Sequence, residues 1–319
     1  MFIVPVKIID NINMSQKKPQ QRVVEQVKLS KLNMQTIGSN KIIIMIGARG
    51  RGKSTILLDY LWYNQDLPFA MCISPTDVFN QTYTPHIPSR FIYAKYTLEL
   101  LERFCKRQEE MKTRKTKALM GVGDTRYRTA DERGILIMDD CLADNKGWKT
   151  DPSLRWIFFN GRHTGITFVL TMQYQLGLGP DYRANMDWVF ICREPKREER
   201  LKLFKYYAGI FPTYDMFEQV FLKCTTDRRC MVINCSSGSD QINEQVFWYK
   251  ADIHNNFRVC YDEFWKDNEF YLNKRLNIKD STAFNNKPEE DYFKYVKTNG
   301  KVRYDLNMES ANKKEEEDW

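Results

Sequence analysis

The chain has 319 residues, 42% hydrophobic and 28% charged, enough for one large α/β domain or one domain with an appendage. Its net charge of +8, from 49 basic and 41 acidic residues, permits a polyanionic partner without demanding one. Eight cysteines without a CxxC pair argue against a zinc ribbon and for buried free thiols, and no apolar run nears the roughly 20 residues of a bilayer span.

In chain order, residues 1–26 read as an extended N-terminal arm, with the polar stretch 16–21 as a linker. The opening MFIVPV is too short for a secretory signal, so a soluble intracellular protein is expected. Weak alternation at Val27, Leu29, Leu32 and Met34 predicts a strand. Residues 42–46, IIIMI, form a continuous apolar run rich in β-branched side chains, as in a strand buried on both faces. Residues 47–55, GARGRGKST, then match G-x-x-x-x-G-K-S/T, the phosphate-binding loop. A helix must follow, and residues 54–62 place Ile56, Leu57, Tyr60 and Leu61 on one apolar face.

The physics of that loop names its residues. Gly47, Gly50 and Gly52 let the backbone curl, so that N–H groups along Gly47, Ala48, Arg49, Gly50, Arg51, Gly52, Lys53, Ser54 and Thr55 point at phosphate oxygens beside a positive helix end. Lys53 would reach the β- and γ-phosphates, and the Ser54 hydroxyl would ligate Mg²⁺. ATP and Mg²⁺ are the expected ligands. Arg49 and Arg51 could contact phosphate or a neighbour, or simply face solvent.

Further along, strands are predicted at 69–73 (FAMCI), 91–93, 134–140, 167–171 and 188–192, and a closing hairpin at 231–234 with 246–249. Helices are predicted at 98–117, 154–162, 198–207 and 214–223. Alternating buried strands and helices mean an α/β fold, a mostly parallel sheet flanked by helices. Residues 27–251 are read as the catalytic domain, 252–280 as a C-terminal segment that packs back onto it, and 281–319 as a polar, disordered tail.

Ile135-Leu136-Ile137-Met138-Asp139-Asp140 delivers two acids from the end of a buried strand. Asp139 would hold Mg²⁺ through water, and Asp140 would orient and partly deprotonate the attacking water. One of the pair could instead cap the turn. FAMCI is expected to fit between the phosphate loop and the acidic strand, an arrangement that favours motor-type ATPases over nucleotide kinases. Gln173 ends the next strand, where a polar side chain would touch the γ-phosphate or the water; a plain surface glutamine is the alternative. Lys112, Arg114, Lys115, Lys117, Arg126 and Arg128 make a basic segment that could grip DNA phosphates or be a solvated helix end. His163 could be catalytic, but it reads better as a turn-packing residue.

GARGRGKST, ILIMDD, NGRHTGITFVLTMQY and WVFICREP together resemble the genome-packaging ATPases of nucleocytoplasmic large DNA viruses, in the FtsK–HerA branch of P-loop ATPases. The resemblance runs from about Val27 to Ala251. It implies a RecA-like P-loop NTPase with an extra strand between its two motifs, assembled as a homo-oligomeric ring, a hexamer or pentamer. It implies ATP-driven pumping of double-stranded viral DNA into a preformed capsid, with a capsid or portal component as partner and the host cytoplasm or virion as location. Arg162 and Arg193 stand at family-like positions for a trans-acting arginine, though each could instead pair an acid such as Asp187 or Glu194. A DNA-pumping helicase or segregation ATPase shares these residues, and a small-molecule phosphotransferase is the alternative of another class.

Overall fold

The computed structural model describes residues 2–7, 24–141, 146–173 and 178–277. Among these, ten strands form one sheet: β1 Phe2–Lys7, β2 Val24–Lys31, β3 Ile42–Ile46, β4 Ala70–Ile73, β5 Ile92–Tyr93, β6 Gly134–Asp139, β7 Ile166–Met172, β8 Trp188–Ile191, β9 Cys230–Asn234 and β10 Val246–Tyr249. The helices are α1 Lys53–Tyr63, α2 Asp77–Asn80, α3 Leu98–Leu119, α4 Pro152–Asn160, α5 Pro180–Arg183, α6 Arg197–Tyr207, α7 Tyr214–Cys224, α8 Ile242–Gln245 and α9 Asp262–Asn277. The chain up to Tyr261 forms one compact unit, and the chain from Asp262 forms a second, whose described part is α9.

The strand order is β1-β2-β10-β9-β8-β3-β7-β6-β4-β5. From β8 through β3, β7, β6 and β4 to β5 every pairing is parallel. β9 runs antiparallel to β8 and pairs antiparallel with β10, the expected hairpin. The expected arm contains β1, which pairs antiparallel with β2 from Phe2↔Leu29 to Lys7↔Val24. The linker at 16–21 and the tail at 281–319 lie outside the described residues.

Every residue of β3, β4, β6, β7 and β8 is buried, which is what parallel strands covered on both faces require. One face, through Ile43, Met45, Ile137 and Val169, packs with Ile56, Leu57, Tyr60 and Leu61 of α1. The alternate face carries Phe168, whose ring meets Phe158 of α4 edge-on at 5.3 Å. Helices therefore cover both sides, and the fold is that of a P-loop NTPase. Phe257 and Val259 also belong to the core of the first unit. No helix among the described residues is long and apolar enough to cross a membrane.

The structure corrects two expectations. The strand between the phosphate-loop strand and the acidic strand is β7, whereas β4 lies on the outer side of β6. FAMCI falls between the motifs in chain order only, because parallel crossovers let sequence order and spatial order differ. The helix predicted at 154–162 begins at Pro152 and ends at Asn160. Asp151 caps it, its carboxylate accepting the N–H groups of Ser153 and Leu154, and Pro152 suits the first turn. Arg162 and His163 consequently sit in a 3-10 turn, Gly161–Thr164, closed by Gly165.

Candidate active site

The parallel strands bring their carboxyl ends to one edge of the sheet, and the sequence motifs meet there. Register does the positioning. Ile46 of β3 pairs with Met172 of β7, and Asp139 of β6 pairs with Thr171 of the same strand. The phosphate loop, the acid pair and Gln173 are therefore neighbours, separated in sequence by up to about 120 residues.

The loop turns from β3 into α1 through Gly52, whose backbone is left-handed at φ 92°, a conformation costly for any side chain. Gly47 serves another need. Its N–H donates to the Met172 carbonyl at 3.0 Å, and a Cβ at this position would lie 2.7 Å from Cβ of Cys192. Both atoms are fixed by backbone, so Gly47→Ala should cost about 1–3 kcal/mol in equilibrium urea unfolding. An unchanged unfolding midpoint would show that the loop and β8 can separate freely.

Lys53 is 5% exposed, and its ammonium donates to the Gly47 carbonyl at 2.9 Å. It also lies 3.4 Å from Oδ2 of Asp140. Gln173 donates from Nε2 to the same Asp140 oxygen at 3.1 Å. Asp140 thus stands between the loop lysine and the glutamine at the end of β7. Its backbone is left-handed at φ 48°, a strained arrangement for a residue bearing a side chain. Arg49 and Arg51 are exposed.

Thr171 ties the two acids together, and sequence reasoning passed over it. Its hydroxyl donates to Oδ1 of Asp139 at 2.6 Å and accepts the Asp140 N–H at 3.0 Å. One signal was available: Thr171 is a polar residue at the carboxyl end of a mostly apolar strand, two positions before Gln173 and on the same face.

Asp139 is 5% exposed, and burial pushes its carboxyl above the ordinary carboxylate range; the adjacent Asp140 charge adds to this, while hydrogen bonding opposes it. Above the raised folded-state pKa the ionised group opposes folding, and the penalty fades as pH falls through that pKa. Asp139→Asn, without added nucleotide or metal, should therefore be more stable than the parent at about pH 8, by on the order of 1 kcal/mol. The gap should close towards acidic pH, and a destabilised variant would refute this reading of the carboxylate.

A second overlooked residue is Tyr83. It is fully buried, and its hydroxyl lies near Ser54 and Asp139 without forming a close hydrogen bond to either. An unpaired buried hydroxyl costs about 1–3 kcal/mol. Asp77 holds the loop that delivers it, accepting the Tyr83 N–H at 2.6 Å and the Thr84 hydroxyl at 2.7 Å.

The two arginines are placed differently. Arg193 follows β8 at the same edge as the phosphate loop, and its guanidinium donates to the Leu222 carbonyl and, at 3.2 Å, to the Thr225 hydroxyl, closing the end of α7. Arg162 lies 3.2 Å from Oδ1 of the fully buried Asp187, which accepts the N–H of Ile42 at 2.8 Å. Ile42 begins β3, so Arg162 marks the end of the sheet away from the loop. The basic segment largely neutralises itself. Lys112 and Lys115 pair with Glu132, Arg114 with Glu110, and Arg126 with Asp124, while Arg128 donates to the Ala118 carbonyl. His163 is exposed. All eight cysteines are free, and burial pushes the Cys192 thiol up to about 11, so a thiol beside the loop stays protonated.

Comparison with known proteins shows viral relatives. The chain is 40% identical over 210 residues to the uncharacterized protein L437 of Acanthamoeba polyphaga mimivirus, covering 66% of this chain and 72% of that protein. It is 33% identical over 220 residues to the uncharacterized protein 088R of Invertebrate iridescent virus 3, covering 68% of this chain and 78% of that protein. The chain belongs to this family of proteins from nucleocytoplasmic large DNA viruses. No protein-family model matches it. Among solved structures, the genome packaging NTPase B204 from Sulfolobus turreted icosahedral virus 2, in complex with ATPγS, is similar at a TM-score of 0.44 and 14% identity, covering 66% of this chain and 97% of that one. At that distance the chemistry of this family member has to be read from its own residues.

Proposed function

We propose that this protein is an ATP-hydrolysing motor that moves double-stranded DNA into a preformed viral capsid. The observation that carries the hydrolysis is the placement of the Asp140 carboxylate between Lys53 at 3.4 Å and Gln173 at 3.1 Å, at the carboxyl edge of a parallel sheet. Phosphates entering the loop would meet its N–H groups and compete with Asp140 for Lys53. The freed carboxylate would orient a water for in-line attack and take part of its proton. Gln173, bonded to that carboxylate, would register whether the γ-phosphate is present.

Among the described residues, no group of three or more His, Cys, Asp or Glu side chains could hold a metal alone. Mg²⁺ suits such a place, because it takes one or two protein oxygens and completes its shell with phosphate and water. The buried, unpartnered Tyr83 hydroxyl beside Ser54 and Asp139 supports the fit. Ser54 and Asp139 would hold the ion, which when bound would offset charge on the β- and γ-phosphates.

The load is read from the resemblance in residues 160–173 together with the viral family. In a homo-oligomeric ring, Arg162 or Arg193 of a neighbouring subunit would stabilise the transition-state charge. A capsid or portal component would dock the ring, and the host cytoplasm or the virion would be its place of action. Incubating the purified chain with ATP and a nucleoside separates this reading from a small-molecule phosphotransferase. Release of inorganic phosphate alone is expected; a phosphorylated nucleoside would overturn the proposal.

A further inference from the structure

Tyr83 has no role in the reaction as derived, yet the fold takes trouble to place it. The side chain is fully buried, and its hydroxyl has no close hydrogen-bond partner. It lies beside Ser54, the first residue after the loop lysine, and beside Asp139, the first of the two acids. The loop between β4 and β5 is bent to the purpose by the buried Asp77, which binds the Tyr83 N–H at 2.6 Å and the neighbouring Thr84 hydroxyl at 2.7 Å. The large majority of buried side-chain polar groups in native proteins are paired, and one left over beside a loop that binds a charged ligand calls for a partner that arrives with it. A phenylalanine would fill the same space without that cost.

We propose that Tyr83 is a positioning residue of the divalent-cation site, its hydroxyl holding a water bound to the cation that Ser54 and Asp139 would hold. Mg²⁺ parts with its water reluctantly and keeps several waters in protein sites, so an outer partner for one of them orients the whole shell. The inference rests on the reading of Ser54 and Asp139 as the cation's residues. It adds that the β4–β5 loop, through Asp77 and Tyr83, is part of that site.

The test uses Tyr83→Phe in the 319-residue chain, which removes one oxygen and leaves the ring to pack as before. Binding of a non-hydrolysable ATP analogue is measured as Mg²⁺ is titrated, and again in excess EDTA. The melting temperature is recorded without either ligand. The variant is expected to melt at or above the parent and to bind the analogue equally in EDTA, but to need about 10-fold more Mg²⁺ for half-maximal enhancement, in line with the effect of losing an outer-shell partner. An unchanged Mg²⁺ requirement overturns the role of Tyr83 while leaving Ser54 and Asp139 in place. A lowered melting temperature with the same Mg²⁺ requirement also overturns it, in favour of a structural hydroxyl. If the parent's binding shows no Mg²⁺ enhancement at all, the underlying cation site fails and the proposal fails with it.

Discussion

Lys53→Ala is expected to reduce ATP turnover by about 10²–10³-fold or more, the scale on which a single preorganised transition-state donor acts. The lysine is buried, and it is held by the Gly47 carbonyl on one side and Asp140 on the other. Its ammonium is therefore already aimed across the mouth of the loop, and little reorganisation is needed when negative charge develops on the phosphates. Lys53→Arg should not restore activity. A planar guanidinium is larger and cannot occupy the compact position that a single ammonium takes between a carbonyl and a carboxylate. Steady-state phosphate release checks both variants, with circular dichroism to verify folding. Turnover within a few-fold of the parent in Lys53→Ala would remove the loop from the chemistry.

The second large effect is expected for Asp140→Asn. Asparagine tolerates the left-handed backbone that Asp140 adopts, and its amide oxygen can still accept from Gln173, so the substitution removes the charge and little else. Loss of a general base costs about 10²–10⁴-fold in rate. Nucleotide binding should be retained or tightened, because the phosphates no longer compete with a carboxylate for Lys53. Equilibrium binding of labelled ATP and single-turnover hydrolysis separate the two effects. Parallel loss of binding and hydrolysis would mean that Asp140 serves the loop rather than the water.

The candidate edge was legible in the sequence where local pattern places motif residues at strand ends. IIIMI before GARGRGKST, and ILIM before Asp139-Asp140, each join a buried strand to its functional end, and parallel strands fix which end that is. The place of Gln173 at the end of β7 was legible for the same reason. What the sequence did not disclose depends on pairings between distant segments. That β7 rather than β4 separates β3 from β6 is a matter of strand order, which no local pattern encodes. Thr171 earns its place only through register with Asp139. Tyr83 arrives from a loop with no periodicity, steered by Asp77 six residues earlier. The basic run at 112–128 leaves a polyanion site and a solvated helix end equally open until Glu132, 17 and 20 residues from its lysines, folds back onto it. Arg162 lies against Asp187, one of the two acids the sequence already offered as partners; what no local pattern shows is that this pair sits at the far end of β3.

The central claim is that hydrolysis at this edge is coupled to duplex DNA. The direct measurement is the ATPase rate of the purified chain with and without linear double-stranded DNA, with the size of the assembly recorded in the same samples. DNA-stimulated hydrolysis by a ring-sized oligomer, abolished in Lys53→Ala, is the expected result. A rate indifferent to DNA, from a protein that remains a monomer, would contradict the account.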